Sequence, residues 1–110
     1  MHELSVTRNI VAIVSDRAKG RRVSKVKLQV GKLAGIEVQA VRFCFDLCTE
    51  GTPLEGSTLV VDEVDGQATC EACGAEVTID VPRGVCECEK RGRLRIERGE
   101  ELLIKEMEVS

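Results

Sequence analysis

From Glu3 to Ala18 the apolar residues Leu4, Ile10, Val11, Val14 and Ala18 recur at helical spacing and predict an amphipathic first helix. Lys19-Gly20-Arg21-Arg22 follows, a basic end and a glycine, both common where helices stop. The period then changes to two. Val26, Leu28 and Val30 alternate with Lys25, Lys27 and Gln29, which predicts a half-buried strand ending at Gly31. Helical spacing returns from Ile36 to about Cys48 in Val38, Val41, Phe45 and Cys48, and Gly51-Thr52-Pro53 closes this second helix. Ser57 to Val64, with Leu59, Val60 and Val61 at its centre, predicts another strand, and Asp65-Gly66 a turn out of it.

Beyond that turn the core-forming sequence thins. Gln67 to about Arg93 holds four of the six cysteines and behaves as a separate small module. Arg93–Arg98 and Glu101–Val109 are strand-like, the latter with Leu103, Met107 and Val109 on one face. The order is helix, strand, helix, strand, cysteine module, strand. This predicts an α+β fold: two helices packed on a small three-stranded sheet, with an inserted zinc-ribbon-like four-cysteine module. The expected division is residues 1–66 plus 99–110 for the α/β domain and 67–98 for the module.

A length of 110 residues fits one compact domain plus a small appendage. Phe43 and Phe45 are the only aromatics, so the core has to be built from Val, Ile, Leu and Ala. A net charge of -3 argues against wholesale nucleic-acid binding, which needs a basic footprint. No apolar stretch approaches the roughly 20 residues that span a bilayer, and no secretory signal opens the chain. A cytoplasmic location is therefore expected. In that reducing compartment six cysteines favour metal binding or buried thiols over a disulfide framework.

The strongest chemical motif is Cys70-Glu71-Ala72-Cys73-Gly74. Two residues between the thiols let both sulfurs face one ion, and Gly74 permits the tight turn around it. Cys86-Glu87-Cys88 follows after twelve intervening residues. Four thiolates complete a closed tetrahedral Zn(II) site, which is structural because no coordination position stays open. The single residue between Cys86 and Cys88 makes the second half tighter than a paired Cys-x-x-Cys. Iron at the same thiols is an alternative. A redox dithiol ranks lower, because Cys70-x-x-Cys73 does not open a helix after a strand. Cys44 and Cys48, four apart beside Val41 and Phe45, are expected to be buried as small apolar side chains. The basic run Lys90, Arg91, Arg93, Arg95 and Arg98 suits a solvated strand face or an acidic partner, since interleaved glutamates and missing aromatics weaken a nucleic-acid reading.

The only histidine is His2. Its Nδ1 and its own main-chain nitrogen can close a six-membered ring on one ion, and the Glu3 nitrogen or the Met1 amine can add a five-membered ring. An all-nitrogen planar set suits Ni(II) or Cu(II) better than Zn(II) or Mg(II). The bland alternative is a solvent-exposed histidine. With one histidine there is no material for a catalytic triad, and no Walker loop is present, so an enzyme is not expected.

Together these parts resemble the HypA family of nickel metallochaperones. The resemblance rests on Met1-His2-Glu3-Leu4-Ser5 leading a helix, Val30-Gly31-Lys32-Leu33-Ala34-Gly35 and Phe43-Cys44-Phe45. It continues through Gly51-Thr52-Pro53-Leu54-Glu55-Gly56, the four-cysteine module and Ile104-Lys105-Glu106-Met107-Glu108-Val109. It covers essentially the whole chain. It implies Ni(II) as transient cargo at Met1, His2 and Glu3, with His2 giving its imidazole and main-chain nitrogen and Glu3 its main-chain nitrogen. The Glu3 carboxylate contacts or orients the ion in this scheme. It also implies structural Zn(II) at Cys70, Cys73, Cys86 and Cys88. The implied role is nickel delivery during maturation of nickel–iron hydrogenase, or of urease. The implied partners are a maturation GTPase and the hydrogenase large-subunit precursor, with the chain a monomer or homodimer and no membrane involved. Two departures stand out: the compressed Cys86-x-Cys88 pair, and the lack of a second histidine near the module. The competing reading is a zinc-ribbon adaptor or nucleic-acid-associated regulator in which His2 is incidental. A third is an electron-transfer protein with iron at the four thiols.

Overall fold

The helical period at the start of the chain becomes α1, His2–Ala18, in the computed structural model, which describes residues 2–81 and 84–110. Its stripe Ile10, Val11, Val14 and Ala18 is buried, as the spacing predicts. Thr7 joins that stripe, fully buried, because its hydroxyl is satisfied by donating to the Glu3 carbonyl at 2.6 Å. The helix stops where Lys19 and Gly20 both turn left-handed, with φ of 51° and 84°. The remaining elements are β1 (Val23–Gly31), α2 (Val38–Cys48), β2 (Thr58–Val64), β3 (Gly66–Cys70), β4 (Glu76–Ile79), β5 (Leu94–Arg98) and β6 (Leu102–Val109).

The chain divides into two compact units. The first takes the chain up to Gln29, Ile36–Asp62 and Leu103–Ser110; the second takes Val30–Gly35 and Glu63–Leu102. In the first unit α1 and α2 pack together, and β1 is the central strand of a sheet ordered β2-β1-β6. Val26 and Leu28 point to its buried face, while Lys25 and Lys27 occupy the other. Lys25 reaches Glu108 on β6 at 2.8 Å and Lys27 reaches Asp62 on β2 at 3.4 Å. Such exposed pairs order the polar face more than they stabilise it.

The second helix starts later than its apolar period suggests. Glu37 is its N-cap, extended at φ -84° and ψ 107°, and its side chain accepts from the Gln39 amide at 3.1 Å, which leaves Ile36 outside the helix. Val41 and Phe45 form its buried stripe. Cys44 and Cys48, expected to be buried, are only half-buried. At the far end of the fold Leu103 is 44% exposed, whereas Met107 and Val109 are half-buried, so the predicted face of β6 is only partly formed.

The second unit contains a sheet ordered β4-β3-β5 and antiparallel throughout, in which β5 matches the predicted Arg93–Arg98 strand while β3 and β4 carry no predicted period. Asp65-Gly66 is a one-residue break and not a loop, since Gly66 already pairs with Ile79. Ala68 and Cys70 point inward with Leu33, Ile79, Cys86 and Leu94, and Val77, Cys88 and Ile96 pack at the edge. Gly99 accepts the Leu33 amide at 2.8 Å. With φ of 109° and its Cα face against the Gly66 backbone, it has no room for a side chain.

Candidate metal centres

Each half of the cysteine cluster is built by a short turn. Cys70 ends β3, and the chain reverses through Glu71–Cys73 to Gly74, whose φ is 75°. The Gly74 amide donates to the Cys70 carbonyl at 2.9 Å, and the Cys70 amide donates to Ala75 at 3.0 Å. This turn aims the Ala72 and Cys73 amides at Cys70 Sγ, each at 3.4 Å. The motif therefore follows a strand and opens no helix, which matches a metal knuckle better than a thioredoxin-like dithiol.

The second half solves a different problem, because one residue separates Cys86 from Cys88. Here the loop is closed from outside the pair. Leu94 donates to Gly84 at 3.0 Å, Val85 bridges Arg93, and the Cys86 amide donates to Gly92 at 2.8 Å. The turn itself begins at Cys88, whose carbonyl accepts from Arg91 at 2.9 Å, with Arg91 left-handed at φ 48°. The amides of Lys90 and Gly92 then point at Cys88 Sγ, and the Cys88 amide points at Cys86 Sγ.

The result brings Cys70, Cys73, Cys86 and Cys88 together, with all four sulfurs within 4.8 Å of one another. The Cys70–Cys88 separation is 3.8 Å. A tetrahedron with Zn–S bonds of about 2.3 Å has edges of about 3.8 Å. Cys70 and Cys86 are buried, Cys88 is half-buried and Cys73 is exposed. Amide donation from Cys73 and Ala72 holds the Cys70 thiol below its ordinary range, and donation from Gly92 brings Cys88 down to about 6. Cys86 goes the other way. The Cys88 amide favours its thiolate, but burial and the surrounding sulfurs push it up to about 11. The donors thus favour thiolates at Cys70 and Cys88, while Cys86 takes a negative charge beside them only with a cation among the sulfurs. An all-sulfur tetrahedral set fits zinc or iron. Among the described residues no other group of three or more metal-ligating side chains converges.

The other predicted site belongs to the first unit. His2 opens α1 with its side chain 58% exposed, and Nε2 lies 3.2 Å from Glu3 Oε2. The same Glu3 oxygen accepts the Glu37 amide at 3.2 Å. That donation, chiefly, holds the Glu3 carboxyl below its ordinary value, with smaller help from its own amide and the nearby His2. The amides of His2 and Glu3 belong to the first helical turn, where no carbonyl four residues earlier can accept them. Met1, the third residue of the predicted set, lies outside the described residues. Thr7, Glu37 and Gly92 were not predicted as parts of either centre. Thr7 and Glu37 brace Glu3, and Gly92 braces the cysteines. Lys90, Arg91, Arg93, Arg95 and Arg98 are all exposed, and Arg95 pairs with Glu97 at 3.0 Å. No described helix is long and apolar enough to cross a membrane.

The chain is similar to known proteins along its whole described length. The sequence model of the family described as "Hydrogenase/urease nickel incorporation, metallochaperone, hypA" matches residues 1–109. The hydrogenase maturation factor HypA of Nostoc punctiforme is 50% identical over 111 residues, covering 99% of this chain and 96% of that protein. The factor of the same name from Geobacter metallireducens is 41% identical over 109 residues, covering 99% of each. The solution structure of the Ni metallochaperone HypA from Helicobacter pylori matches the fold with a TM-score of 0.67 at 20% identity, covering 99% of this chain and 97% of that one. The chain belongs to the HypA family of nickel-incorporation metallochaperones, the family of hydrogenase maturation factors.

Proposed function

We propose that this chain carries Ni(II) on the first turn of α1 and holds a structural Zn(II) at Cys70, Cys73, Cys86 and Cys88. In this reading it hands nickel over in the cytoplasm during maturation of nickel–iron hydrogenase, or of urease. Its partners are a maturation GTPase and the hydrogenase large-subunit precursor. The role is binding and transfer, not catalysis.

The observation that carries the nickel reading is the His2–Glu3 pair. A carboxylate only accepts, so the 3.2 Å contact selects the imidazole tautomer protonated on Nε2. Nδ1 is then left with its lone pair, and Nδ1 is the atom that closes a six-membered ring with the main-chain nitrogen of His2. The amides of His2 and Glu3 are free of helical acceptors, and Met1 supplies the remaining nitrogen. A planar nitrogen set of this kind favours nickel over zinc. An exposed site with one side-chain ligand also suits a cargo ion that must leave. The zinc reading rests on four sulfurs at tetrahedral spacing. Bound there, zinc cross-links two loops and leaves no open position for chemistry.

The test is nickel calorimetry on tag-free protein, wild type against His2→Ala, with zinc assayed in each. Nickel binding that disappears in His2→Ala while zinc stays near one per chain supports the proposal. Equal nickel binding by both moves the cargo site away from α1 and leaves a zinc-ribbon adaptor as the better account.

A further inference from the structure

Gly92 touches more of the cysteine cluster than any other non-cysteine residue described above. Its carbonyl accepts the Cys86 amide at 2.8 Å, and its own amide donates to Cys88 Sγ. Its Cα face lies on the other half of the cluster. A Cβ built there would stand 2.6 Å from Cys70 Sγ, 2.5 Å from Ala72 Cβ and 2.9 Å from the Ala72 nitrogen. None of these is the loose end of a flexible side chain.

Glycine is not needed at this position for its backbone freedom. The left-handed residue of this turn is Arg91, one position earlier, and Gly92 is not among the glycines with positive φ. A conformational demand would have put the glycine at 91. What position 92 demands is space against Cys70 and Ala72. The compressed Cys86-x-Cys88 pair explains why. With one intervening residue the pair cannot make its own turn, so the turn is displaced to Cys88–Arg91, and the chain leaves it directly across Cys70 Sγ.

We infer that Gly92 is a positioning residue of the four-thiol site, the residue that lets Cys86-x-Cys88 close against Cys70-x-x-Cys73. The inference rests on the reading that these thiols hold a metal ion. It adds that the cluster's geometry is set by backbone contact at 92 as well as by the spacing of the cysteines.

The experiment is Co(II) binding to metal-stripped, reduced full-length protein, followed by the thiolate charge-transfer and d–d bands, with Zn(II) competition giving the affinity. Wild type, Gly92→Ala, Ala72→Gly, the Ala72→Gly/Gly92→Ala double variant and Gly84→Ala are compared. Gly84 is the control because a Cβ there meets nothing within 4 Å. Metal-supporting contacts outside the ligand set are typically worth about 10- to 100-fold in affinity, and Gly92→Ala is expected to lose that much with altered d–d bands. Ala72→Gly removes the nearest clash, so the double variant recovers part of the loss, while Gly84→Ala binds as wild type does. Unchanged affinity and bands in Gly92→Ala overturn the inference. So does an equal loss in Gly84→Ala, or a loss in Gly92→Ala that Ala72→Gly leaves untouched. Failure of the wild-type chain to give four-thiolate bands overturns the metal reading itself, a distinguishable result.

Discussion

The carboxylate of Glu3 accepts the main-chain amide of Glu37, joining the first turn of α1 to the residue that caps α2. One oxygen, Oε2, serves both this amide and His2 Nε2, each at 3.2 Å. The side chain is 15% exposed, and its acidity is raised chiefly by the Glu37 amide. A carboxyl whose folded value lies below its ordinary 4.5 adds stability that is complete above 4.5 and is lost as pH falls through the folded value. Urea denaturation of wild type and Glu3→Gln is therefore expected to show the wild type more stable at pH 7. The gap closes as the pH drops below 4.5. A gap independent of pH shows that the charge of Glu3 contributes nothing to this tie.

Metal removal is expected to act on one unit. The buried core of the second unit is Leu33, Ala68, Cys70, Ile79, Cys86 and Leu94, and two of these six are metal-site cysteines. So small a core stands with its ion and loosens without it. Hydrogen exchange after chelation should show lost amide protection across β3, β4 and β5. Protection in α1 and α2, whose stripe of Ile10, Val11, Val14, Val41 and Phe45 contains no cluster cysteine, should persist. Protection retained throughout the second sheet means that its packing alone suffices.

The periods of α1, β1 and β2 were legible because each element spans enough residues to repeat its spacing. Strands β3 and β4 of the second sheet were not, because they have five and four residues and their inward positions include Ala68 and Cys70, which do not read as strand core. The half-burial of Cys44 and Cys48 has a geometric cause. Cys44 follows Val41 by three positions, which sets it about 60° round the helix from that residue and further still from Phe45, whereas Cys48 lies close to the stripe but is the last residue of α2. The four-cysteine cluster was legible from spacing alone, even with its compressed second pair. Its support was not. Gly92 acts through its backbone and its lack of a side chain, and Glu37 acts on Glu3 through a main-chain amide that every residue but proline carries. Leu33 sits between the basic Lys32 and two small residues, and nothing local marks it as core of the second unit.

Burial separates two leucines of the first unit by mechanism. Leu28, on the central strand, is fully buried, and Leu103, near the start of β6, is 44% exposed. Truncating Leu28 to alanine leaves a cavity beneath β1 and is expected to cost about 2–5 kcal/mol. Truncating Leu103 is expected to stay within about 0.5 kcal/mol. Urea denaturation of the zinc-loaded proteins, followed by the helical signal, measures both. Similar costs for the two would mean that β6 is more deeply covered in solution.

Gly99 and Gly35 separate strain from collision in the second unit. Both have positive φ, 109° and 72°, but a Cβ at Gly35 meets nothing within 4 Å, whereas one at Gly99 strikes the Gly66 backbone. Gly35→Ala is therefore expected to cost only the left-handed penalty, about 1–2 kcal/mol. Gly99→Ala adds a backbone collision and lies outside the left-handed well, so it should cost more, and the excess should come with structural change. The Gly99 carbonyl accepts Leu33 and its amide donates to the Glu101 carboxylate, so displacing Gly99 disturbs both bonds. Amide exchange at Leu33 provides the readout: faster in Gly99→Ala, unchanged in Gly35→Ala. If both variants lose the same stability and Leu33 stays protected in both, backbone strain explains Gly99 by itself and the contact with Gly66 is incidental.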